Sequence, residues 1–89
     1  MNRNLILVVD DDSSLRRVMK MQLEEAGYEV AMAGDGAQAR EAIEQKRPKL
    51  VITDLRMPVS DGMDLLGYVR EERLETTVIM MTAFATVET

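Results

Sequence analysis

Cysteine and histidine are both missing from this chain of 89 residues. Without cysteine there is no disulfide framework and no thiolate metal site, which fits a reducing compartment. Without histidine there is no histidine general base, imidazole ligand or phosphohistidine within the chain. Tryptophan is absent and aromatic residues make up only 3%, so aliphatic side chains and eight methionines must fill any core that the 46% of apolar residues builds. No apolar run approaches the ~18 residues of a membrane span. "MNRN" followed by five apolar residues is too short for a signal peptide. The 11 basic residues are scattered and the net charge is −5, so direct nucleic-acid binding is not expected. The length suits one small domain, which buries roughly 60–65% of its unfolded surface. A cytoplasmic, acidic, single-domain protein with no membrane segment is the expectation.

What is present begins with "LILVV" (5–9), an unbroken apolar run of the kind covered on both faces. Asp12, Ser13 or Ser14 can cap the helix that follows, in which Leu15, Met19, Leu23 and Ala26 recur at helical spacing. Gly27 supplies its stop. "YEVAMA" (28–33) alternates enough for a half-exposed strand near a sheet edge, and "GDG" (34–36) reads as a turn. "AQAREAIEQK" (37–46) is a second amphipathic helix with Ala39, Ala42 and Ile43 inward, closed by "KRP" because Pro48 disfavours helix before it. "LVIT" (50–53) is a buried strand ending in Asp54, "LRMPVSDG" (55–62) a long loop, and "MDLLGYVREER" (63–73) a third helix. "TVIMMTA" (77–83) is a fourth strand, and "FATVET" is expected to begin another helix. Strands joined by helical crossovers lie parallel, and the crossovers are right-handed. The chain therefore reads as an α/β fold, an open parallel sheet with helices on both faces. It shows no internal repeat, linker or second domain.

In a parallel sheet the loops after the strands share one rim. Asp10, Asp11 and Asp12 follow the first strand and Asp54 ends the third. If those strands are neighbours, the acids converge at the switch point where open α/β sheets place ligands. Two carboxylates ~5 Å apart, at an effective dielectric of ~20, repel by roughly 3 kcal/mol. Three together rival the stability of a small domain, roughly 5–15 kcal/mol. Either protons or a cation must relieve them. Hard oxygen donors, with no sulfur or imidazole available, select Mg²⁺, Mn²⁺ or Ca²⁺, and the pocket reads as a Mg²⁺-assisted phosphate site. The plainer reading of "DDDSS" alone is an ordinary helix cap. Acids at the ends of two separate apolar strands favour the metal.

These residues resemble the receiver (CheY-like) domain of two-component response regulators. The resemblance lies in "VVDDDSSLRR", "VITDLRMPVSDGMDLL" and "VIMMTAFAT", in that order; "DLRMP" with "MTAFATVET" looks most like the NtrC-type, sigma-54-dependent activators. It implies a flavodoxin-like sheet of order 2-1-3-4 in this chain, with the fifth strand absent. It implies that Asp54 accepts a phosphoryl group from the phosphohistidine of a histidine kinase. Asp11 then corresponds to a direct Mg²⁺ ligand, Asp10 to an acid that helps hold the metal, Asp54 to a further ligand, and the backbone carbonyl of Arg56 to another. Asp12 is the extra acid, a cap. Thr82 corresponds to the switch hydroxyl that turns toward the phosphoryl group, and Ala83 to the small residue beside it. Taken alone, Thr82 is only a β-branched strand residue, and "MPVSDG" with Pro58 and Gly62 only a turn. Met19, Met21, Met80 and Met81 read as core filler, and Lys46, Arg47 and Lys49 as charges suited to a helix C-terminus.

Against that family, residues 1–89 read as an incomplete receiver domain, lacking most of a fourth helix, a fifth strand and a fifth helix. No lysine here matches the one expected at the end of the missing strand. The uncharged edge at "TVIMMT" (77–82) then invites pairing, so a homodimer or strand exchange through the fourth strand and its tail is expected. The resemblance implies an output domain outside this chain that controls transcription. Three other functions stay open: a Mg²⁺-dependent aspartyl-phosphate phosphatase of the haloacid-dehalogenase kind, a flavodoxin-like cofactor binder, and a truncated inactive fragment. The phosphatase wants Asp-x-Asp, and Arg56 stands two beyond Asp54, although Asp12 stands two beyond Asp10. The cofactor binder is disfavoured by acids where a phosphate cradle would be needed.

Overall fold

A computed structural model describes residues 2–54, 62–72, 75–81 and 86–88. Its elements run β1 (Asn2–Val9), α1 (Ser13–Glu25), β2 (Glu29–Ala33), α2 (Gly36–Lys46), β3 (Pro48–Asp54), α3 (Gly62–Glu71), β4 (Thr77–Met81) and β5 (Thr86–Glu88). They form one sheet of order β2-β1-β3-β4-β5. The pairs β1–β2, β1–β3 and β3–β4 are parallel, with Leu7 opposite Ala31 on one side and Val51 on the other. The expected order 2-1-3-4, with helical crossovers between parallel strands, is the one observed.

β1 is central, and Leu5 to Val9 are all buried. Successive strand residues point to opposite faces, so both faces of this strand need cover. Leu7, Val9, Val51, Val78 and Met80 join Ala39 and Ile43 of α2 and Leu65, Leu66 and Val69 of α3 in one cluster. Above it, the Tyr68 hydroxyl donates to Glu44 Oε1 at 2.9 Å and Arg40 lies 5.2 Å from the Tyr68 ring centre, tying α3 to α2.

The other face differs from the expectation. α1 packs over β2 and β1, yet none of its residues is buried, and Leu15, Val18 and Met21 are exposed. Met19 and Leu23 are half-buried and Ala26 exposed, so the apolar stripe read from the sequence is only partly covered. α2 and α3 shield each other on their side. α1 has no helical neighbour on its own side among the described residues, and Leu50, Ile52, Ile79 and Met81 there are half-buried.

The tail is the second difference. Thr86–Glu88, expected to open a helix, pair antiparallel with β4, Met81 opposite Thr86 and Ile79 opposite Glu88. A fifth strand is thus present, though as a short antiparallel one. An open row of N–H and C=O groups on β4 is a template for any extended segment nearby, and the chain's own tail fills it.

Helix ends follow the side chains available. Asp12 caps α1, its Oδ1 accepting from the backbone of Ser14 (2.9 Å) and Leu15 (3.2 Å). Gly27, at φ +99°, ends it in the left-handed region. Asp35 caps α2 by accepting from Gln38 N, and Gln38 Oε1 accepts in return from Gly34 N, both at 2.8 Å. This is close to a capping box, and it explains "GDG" more fully than a turn does. Arg47 closes α2 at φ +48°, immediately before Pro48 begins β3.

Candidate metal centre

β1 runs out at Val9, and Thr53 of β3 lies opposite it in parallel register. The next residue of each strand therefore falls side by side at the rim. Carboxylate oxygens of Asp10, Asp11 and Asp54 all lie within 4.8 Å of one another. This is the convergence expected from strands one and three being neighbours. Ala33 of β2 and Met80 of β4 flank Val9 and Thr53 in register, so the cluster stands at the C-terminal edge of the parallel sheet.

The three acids sit in unlike surroundings. Asp11 is exposed, Asp54 half-buried, and Asp10 only 3% exposed. Burial strips water from the charged form of Asp10 and pushes its pKa above the ordinary 3.8, with the charges of Asp54 and Asp11 adding to the rise. The Asp12 N–H, donating to Asp10 Oδ1 at 2.9 Å, acts in the opposite sense. The main chain of Asp10 is fixed on both sides: its N–H donates to Ala33 O at 3.1 Å, and its carbonyl accepts from Arg16 Nη1. Asp12 turns to the helix N-terminus as its cap, which separates it from the other acids as expected.

Thr53, fully buried, donates from Oγ1 to the carbonyl of Asp54 at 3.1 Å. Neither it nor Arg16 stood out in the sequence. A threonine before the strand's last residue carries no signal of its own, and an arginine on a helix ordinarily reads as a solvated side chain. Arg56, Pro58, Thr82 and Ala83 lie outside the described residues. Lys46, Arg47 and Lys49 are exposed at the far end of α2 and the start of β3.

The donor set consists of carboxylate oxygens alone, which suits a hard divalent cation. Negative charge held close together and partly out of water is the condition a cation relieves. Among the described residues no helix is long and apolar enough to cross a membrane.

The response regulator receiver domain matches residues 6–89. The DNA-binding transcriptional regulator NtrC of Escherichia coli (strain K12) is 40% identical over 83 residues, 93% of this chain and 18% of that protein. The alkaline phosphatase synthesis transcriptional regulatory protein PhoP of Bacillus subtilis (strain 168) is 36% identical over 78 residues, 88% of this chain and 32% of that protein. The chain thus spans about a third or less of these curated relatives. Among solved structures, the response regulator TrrA of Thermotoga maritima, in complex with Mg²⁺–BeF, superposes with a TM-score of 0.85 at 34% identity, over 92% of this chain and 71% of that one.

Proposed function

The chain belongs to the response regulator receiver domain family, and from that premise we propose that it is a phosphoacceptor signalling module in which Asp54 takes a phosphoryl group from a histidine kinase. The observation that carries the reading is the meeting of Asp10, Asp11 and Asp54 within 4.8 Å at the sheet rim. A carboxylate oxygen of Asp54 forms the new bond to phosphorus while the P–N bond of the donor phosphohistidine breaks and its electron pair returns to the imidazole. Asp54 is half-buried, within reach of a docked donor. Asp10, Asp11 and Asp54, with the backbone carbonyl of Arg56, would hold Mg²⁺; the all-oxygen donor set and the raised pKa of Asp10 support that choice. When bound, Mg²⁺ supplies charge compensation between the acids and the incoming phosphate. Mn²⁺ or Ca²⁺ fits the same donors. Buried Thr53, donating to the carbonyl of Asp54, fixes the backbone that carries the acceptor.

Thr82, the residue after Met81 in sequence, is the proposed switch hydroxyl; Met81 is the residue of β4 that lies opposite Asp54. The module assists its own phosphorylation once per cycle and is not a turnover enzyme. Its output, proposed as transcription activation, lies in a domain outside residues 1–89, and the setting is the cytoplasm. The proposed homodimer uses the same pairing as within the chain, residues 86–88 of one copy taking the β4 edge of another. A one-chain mass by sedimentation at micromolar concentration would remove that part.

The test of the main reading incubates the protein with acetyl phosphate and compares intact masses. One added phosphoryl group is expected on the wild type in Mg²⁺, and none in a chelator or in Asp54→Asn. Unmodified wild type in Mg²⁺, or equal modification of Asp54→Asn, would overturn it.

A further inference from the structure

Arg16 stands in the fourth helical position of α1, which begins at Ser13. A cation so near a helix N-terminus opposes the helix dipole. Some other contact must offset that, and the structure supplies one. The half-buried Arg16 side chain folds back over the helix start and donates from Nη1 to the carbonyl of Asp10. The same guanidinium lies against Gly34 at the tip of β2, where an added Cβ would come within 3.3 Å of Nη1 and 3.5 Å of Gln38 Oε1. Gly34 is not in the left-handed region, so nothing in its backbone requires glycine. The space does.

We propose that Arg16 is a positioning residue of the acidic centre, tethering the Asp10 carbonyl so that Asp10 and Asp11 present their carboxylates to one cation, and that Gly34 is glycine to admit this side chain. The inference rests on reading Asp10, Asp11 and Asp54 as a cation site. Asp10 is held by three hydrogen bonds: its N–H to Ala33, its Oδ1 from Asp12 N–H, and its carbonyl from Arg16. The first ties Asp10 to β2 and the second closes the turn itself. Only the third reaches in from the helix body, and it governs how the β1–α1 turn sits on α1. Groups that orient metal ligands without touching the metal typically shift affinity by tenfold or more when removed.

The test titrates Mg²⁺ into the wild type, Arg16→Met, Arg16→Lys, Gly34→Ala and the double variant Arg16→Met/Gly34→Ala, following the amide signals of Asp11 and Asp12 by NMR. Arg16→Met is expected to weaken Mg²⁺ binding about tenfold, while the signals of Leu7, Val51 and Ile43 stay in place. Arg16→Lys keeps the charge but loses the planar fork and is expected to lose affinity as well. A residue acting only through its charge would do the reverse: removing a cation beside the site would tighten Mg²⁺, and the lysine would restore wild-type behaviour. Either result overturns the proposal, as does unchanged affinity in Arg16→Met. Gly34→Ala is expected to weaken binding with Arg16 present and to add nothing once Arg16 is gone; additive losses would overturn the role given to Gly34. If Arg16→Met does not fold, Arg16→Lys and Gly34→Ala carry the comparison. A wild type that shows no saturable Mg²⁺ response would instead remove the cation site itself, and this inference with it.

Discussion

Replacing Asp10 by asparagine separates what the acidic cluster costs from what it does. Asp10 is 3% exposed and its oxygens lie within 4.8 Å of those of Asp11 and Asp54. At an effective dielectric of ~20, one ionised pair at that separation repels by roughly 3 kcal/mol, and by under ~1 kcal/mol where water screens it fully. Exposed Asp11 is screened most, so most of the relief comes from Asp54 and from no longer burying a charge. Asparagine keeps an oxygen for the Asp12 N–H, which donates at 2.9 Å, so the turn keeps that bond. Its new amide N–H₂ must find a partner, which takes back part of the gain. A net stabilisation of about 1–2 kcal/mol is expected in the chelated protein. At roughly 4–8 °C per kcal/mol for a domain of this size, the melting temperature rises by about 4–16 °C. Mg²⁺ reverses the ranking of benefit. At ten times its Kd a ligand stabilises the native state by about 1.4 kcal/mol, a gain open to the wild type and largely closed to Asp10→Asn. Thermal melts followed by circular dichroism, in chelator and in Mg²⁺, read both effects. A variant that melts below the wild type in chelator, or that gains as much from Mg²⁺, would refute the reasoning.

The same carboxyl sets a pH dependence. Because its folded pKa lies above 3.8, the native state binds the proton more tightly than the unfolded chain, so its contribution to stability falls as pH rises through that window and is flat above it. The advantage of Asp10→Asn should therefore shrink on acidification through the raised pKa in urea unfolding of the metal-free proteins; a constant difference would contradict this. Ile43→Ala empties a fully buried position between α2 and the sheet and should cost about 2–5 kcal/mol in the same assay, far more than a surface change. Gly27→Ala meets nothing within 4 Å, so only its φ of +99° is at stake. A loss of roughly 1–2 kcal/mol is expected, with Gly27→Asn losing less; equal stability of all three would contradict the assignment of this helix end.

The parallel core was legible because each strand is apolar and short, and each helix carries its own punctuation. "LILVV" could be nothing but a strand covered on both sides, and "LVITD" placed an acid at the end of its neighbour. Once those strands lie side by side, the meeting of Asp10, Asp11 and Asp54 follows from parallel register alone. Asp12 read correctly as a cap, since an aspartate just before the first helical residues has two backbone donors waiting. What was not legible depended on neighbours. The stripe Leu15, Met19, Leu23 has helical spacing, but spacing does not say whether a second helix lies beside it, and α1 stays half-bare. "TVET" carries no stop signal, and its pairing with β4 is decided by the free edge and not by propensity. Asp35 and Gln38 stand three apart, a recognisable helix-start pair hidden by two glycines. Arg16 was invisible because a side chain that reaches backward over its own helix leaves no periodicity.

Identifying the residue that carries phosphorus tests the account most directly. The protein is treated with acetyl phosphate and Mg²⁺, reduced with borohydride so that an aspartyl phosphate becomes homoserine, and digested for peptide mass mapping. Homoserine at position 54, with Asp10 and Asp11 unchanged, is the predicted result. Homoserine at position 10 or 11, or at none of the three in protein that binds Mg²⁺, would contradict it.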